Sequence, residues 1–331
     1  RAHVAAIERI APTLRALRHA DGGLARFHGG GRGPEGRLDH ALAASGVRAS
    51  TSTGLSMGFS RLSAGRSSII FDASAPPEGA ASYNGHASTF SFELTSGRRP
   101  VIVNCGSGTS FGDAWRRAGR ATPSHSTLGI EGYSSARLGA SKLAGSRRRE
   151  YLTDPPLSVN VLQTAGFEGI SLQGGHDGYL RTHGLTHVRK LDLSSDGRKL
   201  VGEDTLATLS DRDRARFDVM MDRTGLQGIE FAVRFHLHPE VDAEIDMGGS
   251  AVSLALKSGE IWVFRHDGSA KMTLEPSVYL EKNRLKPRAT KQVILVGYVL
   301  EHASRVSWTL AKAQDTPSGL RDLARDDISK N

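Results

Sequence analysis

Apolar side chains in residues 2–18 recur at three- and four-residue steps, as Val4, Ile7, Ile10, Leu14 and Leu17, the spacing of one helical face. Pro12 sits where it would kink that helix, and Asp21-Gly22-Gly23 ends it. A single amphipathic helix cannot bury its own stripe, so the pattern asks for a partner elsewhere. Gly29-Gly30-Gly31-Arg32-Gly33-Pro34 then reads as an irregular connector. It is not a phosphate loop, because no strand-then-helix pattern with a following Lys-Ser or Lys-Thr surrounds it.

From about Leu55 the period changes. Short segments at 67–71, 88–94, 157–162, 185–193, 229–236, 251–256, 261–264, 291–300 and 305–310 are separated by Gly, Asp, Ser or Pro. Such segments predict antiparallel strands stacked in layers. A helix is expected only around 208–218, and no fixed repeat suggests a solenoid or propeller. The fold class is therefore mainly β, a layered antiparallel β-sandwich preceded by a short helical segment. Residues 314–331 form a polar tail.

Composition narrows the function classes. The chain has 331 residues, 38 glycines, 12 prolines and 38% hydrophobic content, which suits a turn-rich protein with a sizeable core. No apolar run reaches the roughly 18–20 residues of a membrane helix. Cys105 is the one cysteine, so no intramolecular disulfide forms. The chain starts at Arg1 without a methionine or a signal pattern, which reads as a trimmed N-terminus.

A net charge of +8 attracts anions. The basic residues are scattered, however, and the runs 116–117 and 147–149 fall in expected loops. Aromatics are 6% and do not interleave with the basic residues as in nucleic-acid binders, so no nucleic-acid partner is expected.

Candidate chemistry centres on Tyr83-Asn84-Gly85-His86, Val103-Asn104-Cys105-Gly106 and Ser124-His125-Ser126-Thr127. A histidine opening one strand, a polar residue ending the next and a histidine opening a third would bring His86, Asn104 and His125 to one end of a sheet. These three either ligate an ion or hydrogen-bond together and pin the strand ends. Asn84 and His86 alternate, which puts them on one face of an extended chain. His236 and His238 also alternate, either as hydrogen-bonded structure or as ligand contacts.

These pieces resemble the heparinase II/III-like polysaccharide lyases, marked by a His-x-His before a Phe-bearing strand, a strand ending near Asp-x-Gly and an Ala-His-(Asn/Ser)-Thr turn. His176-Asp177-Gly178-Tyr179, Thr186-His187-Val188-Arg189 and Arg234-Phe235-His236-Leu237-His238-Pro239 agree in order, and the resemblance spans roughly residues 1–313. It implies an organisation of 1–28 as the end of an α/α toroid, 29–50 as a Gly-rich linker, 51–313 as the β-sandwich and 314–331 as the tail.

The resemblance further implies a carbon–oxygen lyase that performs β-elimination at a uronic acid of an acidic polysaccharide, in the periplasm or cell envelope. The alternative is a non-catalytic carbohydrate-binding or structural β-sandwich. Elimination needs the uronate carboxylate neutralised, a base for the proton beside it, and an acid for the leaving oxygen. The family's catalytic histidine falls on Asn84, and an amide cannot take up that proton. Asn84 can still hydrogen-bond the carboxylate. Tyr83 is the nearest local substitute for the tyrosine the toroid usually supplies, unless it only packs at the sheet edge. Arg116, Arg117, Arg120 and His236 are the expected substrate contacts, the guanidiniums because they pair bidentately with carboxylate or sulfate. A divalent metal such as zinc would sit at His86, Asn104 and His125, with an amide where the family carries aspartate.

Overall fold

The computed structural model describes residues 2–48, 54–139, 142–144, 147–281 and 284–313. Among them, two eight-stranded sheets face each other. The first runs in the spatial order Phe59–Ala64, Ser67–Asp72, Phe92–Ser96, Arg99–Val103, Ile229–Leu237, Arg288–Val299 and Lys271–Tyr279, with Leu128–Ile130 also paired to Ile229–Leu237. The second runs Val159–Gly166, Gly169–Tyr179, Leu185–Ser194, Lys199–Ala207, Ala303–Lys312, Ile261–His266, Ala251–Ala255 and Asp242–Asp246. Every pairing is antiparallel, as between Ile229 and Val299 or Lys199 and Ala311. The predicted layered β-sandwich is what the chain forms.

Period-two alternation explains the core. Ile69 and Phe71 point into the space between the sheets. Ile70, one residue out of phase, faces the other way and packs with Ala25 and Phe27 of the N-terminal segment. That strand is buried along its whole length because this segment covers the outer face of the first sheet. Between the sheets, Trp308 stacks parallel to Phe92 at 5.9 Å and meets Phe235 edge-on at 4.7 Å. Gly202 makes room for it, since a Cβ there would lie 2.1 Å from the indole.

The helices differ in part from their expected places. Ala2–Ala16 is helical as its periodicity predicts, with Pro12 inside, but Val4, Ile7 and Ile10 stay exposed. The connector read across 29–50 carries a further helix, Arg37–Ala44. The helix expected at 208–218 is Asp211–Arg223, capped where the Ser210 hydroxyl accepts the Asp213 N–H. His176 to Tyr179 complete the strand Gly169–Tyr179. The polar tail 314–331 lies outside the described residues.

Candidate functional site

The three chain segments do converge, though through loops. Gly79–Asn84 is a 3-10 helix that ends just before His86, and the strand after it begins only at Phe92. Asn104 follows the strand Arg99–Val103 directly, and His125 caps the 3-10 turn Thr122–Ser124. Because the chain around Asn84 is helical rather than extended, Asn84 and His86 do not share a face. Asn84 is exposed and His86 is buried.

His86 and His125 form a pair. His125 Nδ1 donates to the Ala121 carbonyl at 2.9 Å, which leaves its Nε2 as acceptor for His86 Nδ1 at 3.0 Å. Burial pushes the His86 imidazole well below its ordinary pKa, helped by the nearby His125 and His28. Burial likewise pushes His125 down to about 3. Both rings are neutral near pH 7.

A third imidazole, missed in the sequence, completes the cluster. His28 Nδ1 accepts the His86 backbone N–H at 3.0 Å, so its Nε2 carries the proton and faces Asp72 Oδ2 at 3.6 Å. Asp72 is fully buried and takes a 2.6 Å hydrogen bond from Ser88. Burial raises its pKa, and the facing His28 works against that. His28 lies 58 residues from His86 beside the glycine run, with no spacing signal to mark it.

Asn104 does not reach the histidine pair. Its Oδ1 accepts the Ser126 N–H at 2.9 Å. Its Nδ2 and backbone N–H both donate to Glu93 Oε1, at 3.4 and 3.0 Å, and Glu93 Oε2 accepts from His19 at 2.9 Å. A carboxylate at 104 would face Glu93 with like charge, which accounts for an amide there. The metal expectation meets the same geometry. His86 Nδ1 and His125 Nε2 are spent on each other, and no group of three or more His, Cys, Asp or Glu side chains converges among the described residues. Zinc takes three or four donors, so the residues as placed do not fit it, and no chemical step is assigned to a metal.

The expected substrate contacts divide. Arg116 is half-buried, with its guanidinium 4.2 Å over the Tyr83 ring and hydrogen-bonded to the Tyr83 carbonyl. Arg149 approaches the same ring at 5.6 Å. Arg117 is exposed and pairs with Glu150. Arg120 instead lies inside and donates to the carbonyls of Gly85, Glu150 and Ser82 at 2.8, 3.0 and 2.9 Å. Each of its three guanidinium nitrogens is hydrogen-bonded inside the protein, tying the loop that carries Tyr83 and Asn84, and the side chain is buried away from a glycan. His236 is buried too: Nε2 donates to the Pro123 carbonyl at 2.9 Å and Nδ1 accepts from Ser277 at 2.7 Å. Cys105 packs beside it, 3.5 Å away, and burial pushes its thiol up to about 11.

Tyr83, Asn84 and Arg116 thus form an accessible polar edge near the buried, neutral His86–His125 pair. The fold and the order of these segments define a heparinase-type C-terminal β-sandwich. The profile of the "Heparinase II/III-like, C-terminal" domain matches residues 47–309, and the chain belongs to that family.

The chain is 30% identical over 319 residues to FtsZ-localized protein C of Caulobacter vibrioides, covering 93% of this chain and 52% of that protein. It therefore spans about half the length of the curated relative it matches. Among solved structures it resembles a heparan sulfate lyase mutant from Pedobacter heparinus, with TM-score 0.65, 11% identity, and 92% of this chain against 46% of that one. A heparinase III matches with TM-score 0.65, 12% identity, and 91% against 45%. At such identities these two likenesses establish the shared fold. No helix among the described residues is long and apolar enough to cross a membrane.

Proposed function

We propose that this chain is the sheet side of an acidic-polysaccharide cleft in a polysaccharide lyase of the heparinase II/III-like type, binding the uronate rather than moving the proton. The observation that carries this reading is the Tyr83 edge. Asn84 is exposed next in sequence to Tyr83, whose ring and carbonyl the Arg116 guanidinium contacts, and amide and guanidinium can both donate to carboxylates. Drawing charge from a uronate carboxylate is what makes the neighbouring proton removable. The groups best suited to take that proton, His86 and His125, are buried and engaged with each other, so a polymer does not reach them. Tyr83 is the remaining local candidate. A non-catalytic binding module is the second reading, favoured by a relative named for its localisation rather than for an activity.

The test is to incubate residues 1–331 with heparan sulfate, hyaluronan and alginate, following both binding and the ultraviolet absorbance of unsaturated uronate ends. Salt-sensitive binding that weakens in Asn84→Ala and Arg116→Ala, with little absorbance gain, is expected. Failure to bind any uronate polymer at low salt would overturn the binding claim. Rapid formation of unsaturated ends by this chain alone would overturn the division of labour.

A further inference from the structure

Each of the two sheets ends in two outer strands, and the unpaired backbone of an outer strand invites further pairing unless charge, proline or a covering segment guards it. Three of these strands are guarded. Phe59–Ala64 carries Arg61, whose Nη1 donates to the Ala16 and Arg18 carbonyls of the N-terminal segment at 2.9 Å. Lys271–Tyr279 carries Lys271, Glu275 and Pro276. Asp242–Asp246 carries Asp242, Glu244 and Asp246. Val159–Gly166 differs, because no charged residue and no proline occurs from Leu157 to Phe167. Among the described residues it pairs with Gly169–Tyr179 alone.

The register shows which backbone groups face outward. The Ser158 carbonyl accepts the Asp177 N–H at 3.3 Å, and bonded pairs recur at every second residue of an antiparallel ladder. Asn160, Leu162 and Thr164 therefore spend their backbone groups on Gly169–Tyr179. Val159, Val161, Gln163 and Ala165 turn theirs to the open side. Side chains alternate as well: Gln163 hydrogen-bonds Ser60 and donates to the Arg61 carbonyl of the first sheet at 3.3 Å, which puts Leu162 on the outer face. Leu162 is 68% exposed, Leu157 78% and Phe167 99%.

We propose that Val159–Gly166 is a self-association surface, pairing antiparallel with its copy in a second molecule about a two-fold axis at Leu162. The second sheets of the two molecules then join into one. This register uses every open backbone group, since Val161 opposes the partner's Gln163 and Val159 opposes the partner's Ala165. Leu162 meets its own copy in a non-hydrogen-bonded pair, where side chains lie closest. Asn160 meets Thr164, so no like charges oppose each other. At both ends Leu157 falls level with the partner's Phe167. The three exposed apolar residues are thus matched by one symmetry operation, the self-complementarity that a two-fold interface requires.

Sedimentation velocity of the full chain over a concentration series tests the surface. A reversible monomer–dimer equilibrium is expected. Leu162→Lys sets two ammonium groups opposite each other and is expected to weaken it at least about tenfold. Because residue 162 is exposed, this variant should keep the circular dichroism spectrum and melting temperature of the parent. Oxidation reads the register. Leu162→Cys should give a disulfide-linked dimer, since Cα atoms about 4.5 Å apart lie within disulfide reach. Thr164→Cys should not, because its copy lies roughly 13 Å further along the paired strands. The native Cys105 is buried and stays out of that reaction. A chain that remains monomeric up to roughly 100 μM, a dimer unaffected by Leu162→Lys, or no preference for cross-linking at 162 over 164 would each overturn the proposal.

Discussion

Arg189 Nη1, from the second sheet, donates to the Ser126 carbonyl at 3.0 Å. The same nitrogen donates to the Phe90 carbonyl at 2.8 Å. One guanidinium thus pins both the loop that follows His86 and the turn that carries His125. Phe90 has φ of 66°, a left-handed conformation uncommon for a bulky residue, and the Arg189 hydrogen bond helps hold it there. Asp204 completes the clamp: it accepts Arg189 Nε and Nη2 at 2.7 and 3.0 Å, His187 Nε2 at 2.8 Å and Trp308 Nε1 at 3.0 Å.

Arg189→Met is expected to lower unfolding stability by about 3 to 5 kcal/mol, because it leaves the Asp204 carboxylate buried without its main cation. Arg189→Met combined with Asp204→Leu should recover part of that loss. Urea denaturation of the single and double variants measures both. A single variant within about 0.5 kcal/mol of the parent would show that the clamp is dispensable.

Stability should fall as pH drops from about 6.5 toward 4. Burial lowers the folded pKa of His125 and His238 to about 3 and of His236 to about 4, so below the ordinary histidine pKa the unfolded chain binds protons that the folded chain refuses. Each such site contributes a slope of up to about 1.4 kcal/mol per pH unit in that window, and nothing above it. Denaturation midpoints across the range should report uptake of several protons on unfolding. His236→Gln should remove about one of them. A flat profile between pH 6.5 and 4 would contradict the neutral, buried state of these rings.

Asn104→Asp should destabilise the protein by roughly 1 to 3 kcal/mol at pH 7, since it replaces a donor to Glu93 with a like charge. The loss should shrink as pH falls and the carboxyl pair takes up a proton. Thermal melts at pH 7 and pH 5 check this. Equal melting temperatures for variant and parent at pH 7 would mean that the Asn104 to Glu93 contact carries no weight.

Protein purified without chelator is expected to hold less than roughly a tenth of an equivalent of zinc, because a two-imidazole site lacks the donor number that retains this ion. Elemental analysis decides. Stoichiometric zinc would require Asn104 or His28 to leave the partners seen here.

The alternation of short apolar segments was enough to specify antiparallel layers, since a strand with one face on a core must repeat every two residues. The motif order also brought 86, 104 and 125 into one region, where Asn104 directly follows a strand of the first sheet while His86 and His125 are delivered by 3-10 turns. Side-chain direction was not written there. The 3-10 helix Gly79–Asn84 turned Asn84 outward and His86 inward, where an extended reading had put them together.

What the sequence determined by itself was the sandwich and the segments that meet at its end, because local periodicity and turn chemistry are properties of neighbouring residues. Only the tertiary structure decided that His28, Glu93 and Arg189 complete that meeting, and that Arg120 and His236 spend their hydrogen bonds inside. Those outcomes depend on which distant groups burial forces into contact. A buried polar atom must find a partner wherever the fold offers one, and sequence spacing carries no record of that distance.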